Sequence, residues 1–272
     1  MTRPALVFAA IGVIAAALWP LGVIARAPAA AVQAPRADLA PTGTLRAAFL
    51  QTNPVQGRVD PQTGAVTGPV ADLVRELARQ KGVPFTILPV PDAAAVIDHV
   101  NTHKADIGFL AYEAARASQV DFSQPYLLTG SAYLVRADSA LNRSADVDRA
   151  GIRVAAVKGV SQQIWVSANV TRASVQVLAT MPPDEAVAKM IAGGELDAFA
   201  ANRERMETIA RKSPAVRVLT DNFMVVAQAL VVEKGQTSRL EALNAFVAEV
   251  RASGLVKSAI ERAGLSGVEV AK

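Results

Sequence analysis

From Thr44 onward the chain alternates short apolar runs with amphipathic segments of helical period. It does so twice, on either side of residue 150. That cadence restricts the fold more than any other feature. LRAAFL (45–50), FTILPV (85–90) and ADIGFLA (105–111) have the length and apolar content of strands. Between the first two, Val74, Leu77, Ala78 and Lys81 recur at helical spacing and Gly82 supplies a stop. Gln51 to Gly68 collects Gly, Pro, Asn and Asp and reads as a loop or hairpin. Asp92 to Thr102 reads as a second helix. Past residue 150, strands are expected at 153–157, 174–179 and 196–201. Helices are expected from Ser161, over Asp184 to Ala192 and over Asn202 to Lys212. Alternation of this kind predicts parallel sheets covered by helices, and two such runs predict two α/β lobes. A last helix is expected after residue 236. Ser238 and Glu241 make a capping-box pattern, Leu240, Leu243, Val247 and Val250 share one face, and Gly254 ends it.

The chain has 272 residues, 51% of them apolar, enough for one large core or two modest ones. Its N-terminus is set apart. Arg3 precedes an uncharged apolar run from Pro4 to Ala25, and a small-residue tail follows with an A-x-A-like site at Ala29-Ala30-Ala31. Residues 1–31 are therefore expected to be a cleaved secretory signal, with an uncleaved anchor as the alternative. Removing Arg3 and Arg26 from the 28 basic residues leaves 26 against 24 acidic ones. With no dense Lys/Arg run, nucleic acid is not an expected partner. Cysteine is absent, which excludes disulfides and a cysteine-borne lipid.

The stretch from 105 to 136 is the most telling about function. A strand ends in a polar turn bearing Arg116; Val120-Asp121-Phe122-Ser123 and Pro125-Tyr126 follow, and then another long apolar run. This order resembles the first lobe of family 3 extracytoplasmic solute-binding proteins. The resemblance extends over about residues 42 to 264. It implies a two-lobed periplasmic-binding-protein fold of type II, of class α/β, with the ligand cleft between the lobes. The first lobe would comprise residues 42–136 and 224–272 and the second residues 137–223, with SAYLVRA (131–137) and MVVAQALVVEK (224–234) as the crossings. The last helix would return to the first lobe. The implied function is capture of a small polar solute, anionic or amino-acid-like, for an ABC importer whose membrane permease is the partner. The implied location is the periplasm, and no cofactor is implied.

The resemblance also assigns residues. Arg116 matches the arginine that grips an anionic group of the ligand, and a guanidinium suits that role because it bonds bidentately and keeps its charge. The alternative is a structural pair with Asp121 or Glu113. Lys158-Gly159-Val160-Ser161 matches a Gly-Thr-Thr-like turn opening a helix, with Ser161 at the second threonine and Val160 replacing the first. Such a helix start attracts anions, although Ser161 also suits a plain cap. Gly194 to Asn202 matches a run that ends, in amino-acid binders, in an aspartate for the ligand ammonium. Here that position is Asn202, which carries no charge to offset a buried cation. The serine or threonine usual before the arginine is replaced in the segment Ala111, Tyr112, Glu113. Asn53 stands where an aromatic lid is common, and Tyr112 is a candidate to stack on the ligand instead. The expected ligand is therefore an anion lacking the α-ammonium.

Catalytic and metal chemistry find less support. His99 and His103 stand at i, i+4 with Asp98 nearby, but no third and fourth ligand is evident, so the pair reads as an exposed helix face. No G-x-S-x-G, P-loop or H-E-x-x-H pattern occurs. The competing function is a secreted enzyme on the same fold, resembling cyclohexadienyl dehydratases. It needs a general acid, for which Glu113 is the nearest candidate.

Overall fold

The computed structural model describes Met1, Thr2 and residues 38–272. The signal segment and its cleavage site lie outside the described residues. In chain order the first part contains β1 (Leu45–Leu50), the two-residue strands β2 (Arg58–Val59) and β3 (Val66–Thr67), α1 (Pro69–Lys81), β4 (Phe85–Val90), α2 (Ala93–Asn101), β5 (Ile107–Ala111) and the short α3 (Ala114–Ala117). The 17-residue β6 (Val120–Arg136) follows. Then come β7 (Arg153–Val157), α4 (Ser161–Asn169), β8 (Ser174–Leu178), α5 (Asp184–Ala192), β9 (Ala198–Asn202), α6 (Arg203–Lys212) and β10 (Val216–Val218). The chain closes with β11 (Met224–Glu233), α7 (Thr237–Ala252), α8 (Leu255–Arg262) and β12 (Val268–Val270).

Local chemistry accounts for most boundaries. Pro69 opens α1, where its missing N–H costs nothing. Gly82 ends it in the left-handed region, with its N–H on the carbonyls of Ala78 and Arg79. Asp92 caps α2 by accepting from the Ala95 amide. The capping box at Ser238 and Glu241 is a correction. Helix α7 starts after Gln236 with no side-chain cap, so Ser238 already lies inside its first turn. Gly254 does end α7's path, and its left-handed conformation leads straight into α8. The histidine pair also differs from expectation. α2 stops at Asn101, so His103 lies beyond the helix with φ 57, while the His99 ring bonds the Ala95 carbonyl.

The main sheet is mixed, with strand order β4-β1-β5-β11-β6-β9-β7-β8. Strands β4, β1 and β5 are parallel, as are β8, β7 and β9. The long strands β6 and β11 run antiparallel to their neighbours in the middle. This departs from the all-parallel expectation because both are crossings that enter from the opposite end. Strands β10 and β12 pair with β6.

The V-D-F-S segment shapes the crossing. Pro125 lacks an N–H, and the β11–β6 ladder shifts register around Ala229. Leu230, left outside the ladder there, donates its N–H to Ser123 Oγ at 3.0 Å. Asp121 accepts from Lys234 Nζ and the Gly235 amide, both at 2.7 Å, and so fixes the turn after β11. Burial separates into two groups. One joins Phe49, Leu73, Phe109, Tyr126 and Leu230 with Leu243, Phe246, Val247 and Val250 of α7, beside a smaller cluster of Val90, Val96, Val100, Leu110 and Val231. The last helix thus packs on the first lobe, each of those side chains contributing about 1.5–3 kcal/mol by leaving water. The other group lies on both faces of β7 and β9, around Phe199, Met206 and Ile209 on one and Tyr133, Val154 and Val166 on the other. Trp165 belongs to it through Phe223, with ring centres 4.9 Å apart.

Candidate functional site

Between the two core groups lies a narrow cavity lined from both sides. The first side contributes Thr52, Asn53, Ala111, Arg116 and Gln228, and the second contributes Val160, Ser161, Gln162, Asn202 and Arg205. Carboxyl ends of parallel strands supply it, as expected for open α/β sheets. Asn53 follows β1, Ala111 ends β5 and Asn202 ends β9. The space amounts to about 40 Å³. It shares Thr52, Met181 and Arg205 with an outer groove of about 750 Å³.

Arg116 lies in α3 and is buried. Its guanidinium donates to the Ala111 carbonyl at 2.8 Å and, across the cleft, to the Gly159 carbonyl at 2.7 Å. Neither Asp121 nor Glu113 pairs with it directly. Burial pushes the guanidinium below the ordinary arginine value, and the field of Glu113 partly opposes this. Ser161 begins α4 and is 3% exposed, and its Oγ has no partner. Val160 precedes it as a cap residue with no side-chain bond.

Asn202 sits in a chain of neutral amides. Gln162 Nε2 donates to Asn202 Oδ1 at 2.8 Å and to Ser131 Oγ at 2.8 Å. Asn202 Nδ2 donates across the cleft to Asn53 Oδ1 at 2.9 Å. Behind these, Gln56 donates to Gln228 Oε1 at 3.0 Å. The two charged side chains that line the cavity are Arg116 and Arg205, and no carboxylate lines it. Arg205 gives one nitrogen to the Pro182 carbonyl and to Asp184, both at 2.8 Å.

Six of the seven residues singled out in the sequence line this cavity: Arg116, Ser161, Asn202, Asn53, Ala111 and Val160. Tyr112 does not. It follows Ala111 on the opposite side of the chain, is 51% exposed, and packs edge-on against Phe122. Sequence reasoning missed Gln162, Gln228 and Arg205. Two of them carried a usable signal. Gln162 is the next first-turn residue after Ser161, and Arg205 stands three residues after Asn202, on the same side of a helix start.

Residues 45–264 match the bacterial extracellular solute-binding proteins, family 3. The chain belongs to this family. Among curated relatives it is 23% identical over 203 residues to the L-cystine-binding protein TcyJ of Escherichia coli K12, spanning 73% of this chain and 74% of that one. The putative ABC-transporter binding component of Wolinella succinogenes, solved with lysine, superposes with TM-score 0.71 at 22% identity over 81% of this chain and 95% of that one. The ancestral amino acid-binding protein AncCDT-1, a precursor of cyclohexadienyl dehydratase, gives TM-score 0.69 at 22% identity over 82% and 95%. At these identities the structural likeness establishes the two-lobed fold. Among the described residues, no helix is long and apolar enough to cross a membrane.

Proposed function

We propose that this family 3 protein is the periplasmic solute receptor of an ABC importer and that its solute is a small anion. The observation that carries the reading is the charge of the cavity. Two guanidinium groups line it and no carboxylate does; Asp184, outside the lining, pairs with only one nitrogen of Arg205. An anionic ligand supplies what the site lacks, whereas an α-ammonium meets the uncharged Asn202, whose Oδ1 already accepts from Gln162. The cavity's 40 Å³ has room for roughly three waters, so a solute enters as the lobes part and is held as they close. Arg116–Gly159 and Asn53–Asn202 are among the contacts that closure makes.

Calorimetric titration with amino acids and their deaminated acids tests the reading. The acid is expected to bind more tightly, and Arg116→Ala to weaken it by about 2–5 kcal/mol. Tight binding of the amino acid with none of its deaminated partner overturns the proposal. Export to the periplasm is tested by N-terminal sequencing of the exported protein, which is expected to begin near residue 32; an intact Met1 on membrane-bound material would identify an anchor. The likeness to AncCDT-1 keeps a dehydratase in view. Such an enzyme needs a general acid in the cleft, and Glu113 is not among the lining residues, which favours binding over catalysis. Prephenate or arogenate turnover by the purified protein would reverse that preference.

A further inference from the structure

Four buried side-chain polar atoms among the described residues have no hydrogen-bond partner, and two of them belong to residues lining this one cavity: Ser161 Oγ and Arg205 Nε. Buried donors without partners are uncommon in a finished core and mark places where another acceptor fits. The other two, on Tyr126 and Arg239, belong to residues that do not line it. Arg205 stands where the inner cavity meets the outer groove, whereas Arg116 lines only the inner part. The cleft therefore presents a guanidinium at each of two depths, with a helix start and a free hydroxyl beside them.

From this arrangement we propose that the ligand is a dicarboxylate, one carboxylate held by Arg116 and the second by Arg205. The inference rests on the anion reading above and narrows it. One carboxylate neutralises one guanidinium, so with Arg116 satisfied Arg205 Nε stays without an acceptor unless the ligand carries a second anionic group. Asp184 takes only part of that demand, because it meets a different nitrogen of the fork and is itself 36% exposed on its side chain. Burial holds the Arg205 guanidinium below its ordinary value despite Asp184, as expected for a cation only partly compensated. The approach is also favourable to a dianion. The outer groove is lined by Arg58, Arg205, Arg211 and Lys212 against Asp184 and Glu204. The two carboxylates pair with Arg58 and Arg205, so Arg211 and Lys212 remain without an acidic partner among the described residues. A cleft of one sign concentrates ligands of the other.

The test titrates the purified exported protein with succinate, glutarate and adipate, each beside its ω-monoamide. At one chain length or more the diacid is expected to bind about thirtyfold or more tightly than its monoamide. In Arg205→Gln that preference should collapse to within about threefold, the diacid losing far more affinity than its monoamide. Because Arg205→Gln also removes a structural contact, Asp184→Asn is the second variant. It frees Arg205 from its carboxylate, and the diacid should then bind more tightly than to the wild type, which a purely structural Arg205 does not predict. Equal binding of diacid and monoamide at every length, with Arg116→Ala still abolishing both, overturns the second carboxylate and leaves the anion reading standing. Failure of all six compounds to bind overturns both.

Discussion

Replacing Glu204 with alanine should loosen the closed form and lower stability. Glu204 lies in α6, and its side chain is 1% exposed. Its Oε1 accepts from Arg58 Nη2 at 2.9 Å, from the hairpin of the first lobe. Its Oε2 accepts from the Ser266 amide at 3.0 Å and from Ser266 Oγ at 2.9 Å, near the C-terminus. Thr208 Oγ1 adds a bond at 3.2 Å within the helix. Hydrogen bonds to a charged acceptor contribute about 1.5–3 kcal/mol each when well buried. The Arg58 side chain is 51% exposed, so that pair counts for less than about 1 kcal/mol. The two Ser266 bonds share one carboxylate oxygen and carry most of the rest. A loss of about 3 kcal/mol follows for Glu204→Ala, or roughly 6–12 °C in Tm for a domain of this size. Calorimetric melting measures it. Because the Arg58 and Ser266 contacts join elements outside the second lobe to α6, ligand affinity should fall as well. An unchanged Tm would refute the stabilising role of the carboxylate. A lowered Tm with unchanged affinity would refute its role in closure and assign the contacts to fixed packing.

Tyr126→Phe removes a fully buried hydroxyl without a partner and keeps the ring edge-on to Phe109, so the variant should be as stable as the wild type or more stable by up to about 1–3 kcal/mol in urea titrations; a clear loss would show that the hydroxyl is satisfied. Gly108→Ala should cost about 1–3 kcal/mol, because its Cβ would meet Val96 at 2.7 Å and Val231 at 2.9 Å inside the core; an unaltered melt refutes this. Acid should erode stability in a defined window. Hydrogen bonds from Arg79 and then Gln80 lower the Glu76 carboxyl from 4.5 to about 2, so its contribution is present above the unfolded value and is lost as pH falls from about 4.5 toward 2. Urea midpoints across that range should drop less in Arg79→Gln than in the wild type, and an identical slope would refute the linkage.

Much of this protein was legible from sequence because its elements obey local rules. The helix over Asp184–Ala192 and the strand over Arg153–Val157 lie where periodicity put them. Gly82 ends α1 and Asp92 opens α2 through bonds to residues three or four positions away. The binding-site signal around Arg116 was local too, since the strand, the turn and the guanidinium lie within one short run. The errors were failures of local rules where the wider fold intervened. Ser238 did not become a cap, because the turn at Gly235 and Gln236 started α7 earlier. The three-residue strands β10 and β12 have too few residues for a periodic signal and exist only because β6 offers them a ladder.

What the tertiary structure alone decided is the company each polar group keeps. Asn202 meets Asn53 across a separation of 149 residues, and Arg116 meets the Gly159 carbonyl 43 residues away. Tyr112 was a plausible cavity residue until the strand direction turned it toward Phe122. Arg205 was not singled out in the sequence; burial beside Asp184, with an unpartnered Nε, makes it part of the cleft. The physical reason is one of range. Helix, strand and cap preferences depend on neighbours a few residues away and can be read along the chain. The charge balance of a cleft depends on which distant side chains folding strips of water together, and that is set only when the two lobes close on each other.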